Sequence, residues 1–344
     1  MKSTDPLNPS PSVFGILLTS RCNVSCRHCC NNSGPGSDRV LGLDYVKGLI
    51  DEAAKISSVR EIGLSGGEPF LHLNLVREAI RHARGHGLTA SVTTNGFWGK
   101  SARARKMLLD LQTDGLISLC ISTSQFHQEF IGIETVVAAA SVSLSTGLQT
   151  TINVVSSPDL HPDAIVAALG DLADKVGIVV MPCLPAGRAT VAVEMQEFAA
   201  LSPHPVGNCR HHFQKLAVDL DGDVWPCCSP GGFTAPLRMG NAKEKPVNEI
   251  VAGSVRNPLL AILDAVDPAF FLPFLREAGA TDELPDLFAD QCHLCHSMLS
   301  SPRTAMVVED ACRRLAQEVH QLPAAKRPAG RIAMLADENQ TAPA

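Results

Sequence analysis

Three cysteines fall within eight residues, Cys22, Cys26 and Cys29 in CNVSCRHC. The run follows a β-rich stretch at 13–20, so the fold must present three thiolates in the loop just beyond a strand. Three is one fewer than the four thiolates that saturate a [4Fe–4S] cluster, which leaves one iron open to another ligand. Zinc is the competing reading, although structural zinc takes four protein ligands and three-thiolate catalytic sites are uncommon. The chain has 12 cysteines among 344 residues. Its N-terminus, MKSTDPLNPSPS, has no basic flank leading into a secretory apolar core, and no stretch approaches ~18 uninterrupted apolar residues. A cytoplasmic protein with no membrane partner is therefore expected. In a reducing compartment, close cysteine spacings point to metal or redox chemistry rather than disulfides. A net charge of −6, from 35 acidic against 29 basic residues, argues against a nucleic-acid partner held by a basic surface.

The first 190 residues alternate in type. β-rich runs at 13–20, 59–65, 88–94, 116–123, 150–156 and 178–184 are separated by helix-length segments at 43–57, 73–86, 102–113, 134–145 and 162–173. Six strands joined by helical crossovers predict an α/β fold with parallel strands and both sheet faces covered. Periodicity does not choose between a barrel-like and an open sheet. Beyond residue 200 the pattern changes. AVDLDGDVWPC (217–227) reads as a hairpin turning at Asp221-Gly222, 247–289 as mostly apolar helix, and 291–297 as a Cys/His-rich turn. The expected organisation is a poorly ordered tail at 1–12, a core at 13–199, a smaller unit at 200–322 and a second tail at 323–344. With about a dozen residues before the first strand, no N-terminal winged-helix leader-binding domain is expected.

Gly66-Gly67-Glu68-Pro69 ends the second run, about forty residues after the cysteine triplet. Triplet and GGEP together resemble the radical S-adenosylmethionine (SAM) superfamily. The resemblance implies a partial (β/α)6 TIM-like barrel carrying one [4Fe–4S] cluster on Cys22, Cys26 and Cys29. Its open iron chelates SAM, and one electron, from a donor such as flavodoxin or ferredoxin, cleaves SAM to methionine and a 5′-deoxyadenosyl radical. GGEP is implied to meet the SAM amino group, the glycines by close backbone approach and Glu68 by its carboxylate. Other strand ends carry Asn95 in TTNG, Ser122 and Ser124 in ISTSQ, Asn153 in TINVV and Arg188 in LPAGR. By the same resemblance Asn95 belongs to the cofactor site, Ser122 and Asn153 contact ribose or carboxylate, and Arg188 reaches the SAM carboxylate. Strand caps and turn hydrogen bonds are the alternative reading of each.

A second cluster of cysteines lies downstream. Cys209 and Cys227 flank the Gly222 turn, and Cys292 and Cys295 form a C-x2-C pair. These four resemble the auxiliary-cluster domains of radical SAM maturases, which implies a second, complete [4Fe–4S] cluster; zinc on four thiolates fits the spacing as well. His211 and His212 are alternative ligands in principle. Of the other cysteines, Cys312 and Cys120 read as packing, Cys30 adjoins the first loop, and Cys183 lies near the end of the sixth strand. Cys228 directly follows a ligand yet is surplus to the four.

The segments TSRCNVSCRHCC, SGGEPF, TNGFWG, ISTSQFHQEF, DGDVWPCCSP and CHLCHSML together resemble radical SAM epimerases that act on ribosomally made epipeptide precursors. The resemblance runs from about residue 15 to 300. It implies abstraction of a Cα hydrogen from an L-residue and return of hydrogen to the opposite face from a thiol, with Cys228 in the donor position and Cys183 as the fallback. Trp98 and Trp225 in the narrower motifs read more often as core or turn packing than as stacking platforms, and His127 reads as a hydrogen-bonded pocket histidine or as a residue that positions substrate or SAM. Other readings are a maturase forming thioether or carbon–carbon crosslinks, a sugar epimerase of an antibiotic pathway and, outside enzymes, a zinc-stabilised binding protein.

Overall fold

The computed structural model describes residues 10–158, 161–198, 201–203, 205, 212–254 and 256–322. Most of the two expected tails, and Cys209 with His211, lie outside them. The chain forms two compact units, one of Val13–Ala200 with Val218–Asp221 and one of Met1–Ser12, Leu201–Ala217 and Gly222–Ala344.

The first unit runs β1 (Val13–Thr19), α1 (Leu43–Ala54), β2 (Glu61–Gly66), α2 (Leu73–Gly85), β3 (Thr89–Thr94), α3 (Ala104–Asp114), β4 (Leu116–Thr123), the one-turn α4 (Gln125–Gln128), α5 (Ile133–Ser145), β5 (Gln149–Ser156), α6 (Pro162–Leu169), β6 (Gly177–Pro182) and the short α7 (Ala189–Ala192). These strands lie in the order β6-β5-β4-β3-β2-β1, and each neighbouring pair is parallel. Neighbours in sequence are thus neighbours in space, each joined by a crossover helix, as in a (β/α) barrel. β1 and β6 stand at opposite ends of the six, so the barrel is partial.

Strand burial alternates with period two in β1 to β5, whereas β6 is half-buried to exposed throughout. Phe14, Ile16, Leu18, Ile62, Leu64, Val92, Leu119, Ile121, Ile152 and Val154 are all but fully buried. They meet helices that offer apolar residues at i, i+3, i+4 and i+7, as Val76, Ala79, Ile80 and Ala83 do on α2. Each large side chain so buried contributes roughly 1.5–3 kcal/mol. The opposite face holds Gly15, Gly63, Ser65, Ser91, Thr93, Cys120, Ser122, Thr151 and Asn153, all half-buried. The expectation that both faces are covered is therefore corrected. Helices cover one face, and small, mostly polar residues line the other, because a barrel interior that holds ligands cannot be filled with leucine.

The second unit contains β7 (Lys215–Val218), whose last residue belongs to the first unit, then β8 (Asp223–Trp225), β9 (Gly240–Asn241), α8 (Val247–Ser254), α9 (Pro258–Ala265), α10 (Leu272–Glu277), α11 (Gln291–Ser300) and α12 (Pro302–Gln321). Gly222 makes the expected turn at φ +89°, a backbone conformation that suits glycine. β8 pairs antiparallel with β9. The expected Cys/His-rich turn at 291–297 is instead the first part of helix α11. Asp290 caps it by accepting the His293 N–H at 2.9 Å, and three-residue spacing sets Cys292 and Cys295 on one helical face. No helix among the described residues is long and apolar enough to cross a membrane.

Candidate active site

The loop after β1 is built on the neighbouring strand end. Thr19 is in register with Gly66, the Gly67 N–H donates to the Thr19 carbonyl at 2.6 Å, and the Glu68 N–H donates to that of Arg21 at 2.9 Å. A Cβ on Gly66 would stand 2.3 Å from the Thr19 oxygen, and one on Gly67 would stand 2.2 Å from that of Arg21. Two glycines are needed because backbone meets backbone here. Beyond this zipper the Cys22 N–H donates to the Gly34 carbonyl at 3.1 Å, and the Ser33 N–H to Cys29 Sγ at 3.3 Å. Arg188 closes the loop from the far end of the unit. Its N–H reaches the Cys29 carbonyl at 2.9 Å, and its guanidinium reaches the carbonyls of Cys26 at 2.8 Å and Ser33 at 2.6 Å.

Cys22 and Cys26 are buried and Cys29 is half-buried. Burial, reinforced by the neighbouring thiols, pushes the Cys26 thiol up to about 12 and raises Cys22 as well. Three thiolates in such a pocket need a cationic centre to neutralise them. A single tetrahedral zinc ion, with Zn–S near 2.3 Å, would need its sulfurs about 3.8 Å apart. Among the described residues the one set of three His, Cys, Asp or Glu donor atoms mutually within 4.8 Å is Asp51, His82 and His86, so the Cys22–Cys26–Cys29 thiols are spread wider than one ion requires. Ligands on three different irons of a cluster suit that spread.

Glu68 is fully buried between the ends of β2 and β3. Its Oε1 accepts from Phe70 N–H at 3.1 Å and Thr94 Oγ1 at 2.9 Å, and its Oε2 accepts from Asn95 N–H at 2.8 Å. Burial pushes its carboxyl up to about 7 against the pull of these three donors. Asn95 in turn donates through Nδ2 to Asn23 Oδ1 at 2.9 Å, with Cys22 Sγ 3.7 Å away. A chain of polar contacts therefore runs from GGEP through TTNG into the cysteine loop. Pro69 opens the short 3-10 turn Pro69–His72 that Glu68 caps.

On the other flank the loop packs on α4. His28 stacks on Phe126 with centroids 5.0 Å apart and meets His127 edge-on at 4.6 Å. Arg27 lies over the other part of that cluster, 5.0 Å from the Phe126 centroid, and pairs with Glu129 at 2.9 Å and Glu197 at 2.8 Å. His127 Nδ1 is 2.8 Å from Ser124 Oγ, and burial holds its imidazole down to about 4. It stays neutral, a hydrogen-bonded pocket histidine. Arg27 and His28 are site residues that the motifs do not single out; their place between Cys26 and Cys29 is the signal the sequence offers. Trp98 is buried and donates to Thr94 Oγ1 at 3.1 Å, so it packs, and Trp225 stacks on Phe233 at 5.2 Å.

Ser122 and Asn153 are register partners across β4 and β5, on the uncovered polar face. Asn153 Oδ1 is buried with no hydrogen-bond partner among the protein atoms. A buried carbonyl oxygen so placed calls for a donor from a bound molecule, and a sugar hydroxyl would provide one. The loop, the strand-end donors and this orphaned acceptor fit a cluster with SAM. Arg188, expected to reach the SAM carboxylate, holds loop carbonyls through Nη1 and Nη2, and its guanidinium has further N–H donors. Cys183 is buried with its thiol pushed up to about 12, near enough to Cys30 to raise that thiol too. Cys120, expected as packing, sits half-buried on the polar face, whereas Cys312 is buried in α12 as expected.

In the second unit Cys227, Cys292 and Cys295 line one part-open cavity of about 30 Å³, together with Gly232 and His212. Cys209, the fourth expected ligand, lies outside the described residues. A Cβ on Gly232 would stand 2.0 Å from Cys227 Sγ, so the glycine makes room for that sulfur. His212 is tied to the Leu260 carbonyl at 2.9 Å. Cys227 is buried and Cys228 exposed; both lie past the end of β8, Cys228 in a bend.

A partial (β/α)6 unit with three thiols in the loop above its first strand, and a second unit gathering further cysteines, is the layout of radical SAM iron–sulfur proteins. Residues 16–135 match the radical SAM superfamily model and 209–268 match that of the SPASM iron-sulfur cluster-binding domain. The chain carries both domains; the first implies a [4Fe–4S] cluster with SAM, and the second implies auxiliary iron–sulfur binding. It is 27% identical over 296 residues to the putative peptide biosynthesis protein YydG of Bacillus subtilis, covering 84% of this chain and 92% of that one. It is 24% identical over 251 residues to GTP 3′,8-cyclase of Corynebacterium glutamicum, covering 70% of this chain and 63% of that one. Among solved structures, SuiB of Streptococcus suis bound to precursor peptide SuiA shares the fold with a TM-score of 0.52 and 15% identity, over 70% of this chain and 64% of that one.

Proposed function

We propose that this chain is a radical SAM peptide epimerase, converting L-residues to D-residues in a ribosomally made precursor peptide. The observation that carries the reading is the contrast at Cys227-Cys228: one sulfur faces the cavity it shares with Cys292 and Cys295, while the next residue is exposed. A thiol held beside a ligand but turned away from it suits a hydrogen donor. The likeness to a putative peptide biosynthesis protein over nearly all of that protein's length supports a peptide as substrate.

When bound, the first cluster and SAM supply a 5′-deoxyadenosyl radical that can take a Cα hydrogen atom. Cys22, Cys26 and Cys29 would hold that cluster, and Gly66, Gly67, Glu68, Pro69, Asn95, Ser122 and Asn153 would shape the SAM site. Arg188 would brace the cysteine loop, and its remaining N–H donors would serve the SAM carboxylate. Cys209, Cys227, Cys292 and Cys295 would hold the auxiliary [4Fe–4S] cluster. The chain's own part is to orient the peptide Cα and to exclude stray hydrogen donors. Cys228 then gives its S–H hydrogen atom to the opposite face of the Cα radical, forming a Cα–H bond and leaving a sulfur-centred radical. One electron and one proton restore the thiol, the electron coming from a flavodoxin- or ferredoxin-type donor.

Product mass separates this reading from crosslinking. Incubated anaerobically in heavy water with the precursor peptide encoded nearest its gene, the enzyme should leave each modified residue one deuterium heavier and in the D form. Loss of two hydrogens without deuterium would overturn epimerisation in favour of crosslinking.

A further inference from the structure

The seam between α1 and α2 carries a donor set that the radical chemistry does not use. At one level Lys47 on α1 meets Glu78 on α2 at 3.3 Å. One turn further along both helices the charges exchange, with Asp51 on α1 facing His82 on α2. His86, four residues beyond His82 at the C-terminal cap of α2, turns to the same place. Both Nε2 atoms lie 2.7 Å from a single oxygen, Asp51 Oδ1, and the rings meet edge-on with centroids 5.1 Å apart. Among the described residues this is the one set of three such donor atoms mutually within 4.8 Å.

We propose that Asp51, His82 and His86 bind one divalent transition-metal ion of the zinc type, at a site separate from both iron–sulfur centres. Two imidazole nitrogens and a carboxylate oxygen suit zinc, whereas magnesium and calcium favour all-oxygen shells. Histidines four apart present both rings on one helical face, as in known zinc helices. The negative end of the α2 dipole adds to the attraction for a cation. Three ligands at about 2.1 Å from one ion stand roughly 3.4 Å from each other in a tetrahedron, so binding opens the two Asp–His distances by about 0.7 Å. The side chains are 27–47% exposed, which leaves them free to move and leaves solvent to complete the shell. An ion here ties the last turns of α1 and α2, helices that follow the cysteine loop and the GGEP turn.

Zinc sulfate added to the anaerobically reconstituted holoenzyme tests the site. Equilibrium dialysis with metal analysis gives zinc per chain, and thermal unfolding gives the stabilisation. Wild type should bind one zinc more than the double variant His82→Gln/His86→Gln and should unfold at a higher temperature when zinc is present. Asp51→Asn keeps an oxygen facing both rings, so it preserves the fold while weakening zinc binding about tenfold or more. SAM cleavage should be unchanged in all three proteins. Equal zinc content in wild type and double variant, or an equal thermal shift in wild type and Asp51→Asn, would overturn the proposal.

Discussion

At the scale of single residues, Gly232 is under the tightest constraint in the second unit. The nearest allowed side-chain atom would stand 2.0 Å from Cys227 Sγ, well inside any contact distance. Gly232→Ala must therefore move that sulfur out of the cavity it shares with Cys292 and Cys295. Iron should fall from about eight to about four per chain after reconstitution, with the loop cluster retained. An unchanged iron content would show that Cys227 does not ligate there. The same scale separates what sequence revealed from what it could not. Cysteine spacing picked out Cys22, Cys26 and Cys29 in one loop and Cys292 with Cys295 on one helical turn, because short intervals keep thiols together, whereas Cys227 reaches that pair across 65 residues. Arg188 and Glu68 were legible as polar strand-end residues, but their partners were not. Arg188 meets carbonyls more than 150 residues earlier in the chain, and Glu68 caps a turn and crosses to the next strand. No local pattern encodes such contacts.

At the scale of elements, α2 and α3 are joined by one acidic residue. Asp114, 8% exposed, takes Arg77 Nε on one oxygen and Arg81 Nε on the other, both at 2.8 Å. Burial by itself would raise the Asp114 carboxyl; the two guanidinium groups hold it below 3.8. A carboxyl depressed in the folded state adds stability that is full above 3.8 and is lost as pH falls further. Asp114→Asn should cost about 1–2 kcal/mol in urea unfolding near neutral pH, discounted because both arginines remain part-exposed. That difference should shrink as pH drops below 3.8. A difference that held constant into acid would contradict the ion-pair account. Among the elements, β1 to β6 and their crossover helices were legible because apolar residues recur at periods of two and of 3.6. Helix α11 was not. Its cysteines and histidines give weak periodicity, and the Asp290 cap that starts it looks like any loop aspartate.

At the scale of the whole molecule, one chain combines a partial barrel for the radical-generating pair with a separate cysteine-rich unit. Alternation along β1 to β5 gives a greasy outer face and a mostly polar inner one, so the ligand-facing surface follows from the pattern that folds the sheet. The central proposal is that Cys228 is the group that returns hydrogen. Cys228→Ala, reconstituted anaerobically and given the same precursor peptide, tests it directly. Chiral analysis of the hydrolysed product and deoxyadenosine release are measured together. The account predicts full iron content and continued SAM cleavage, with D-residue reduced at least tenfold. Wild-type yields of D-residue from Cys228→Ala would contradict it.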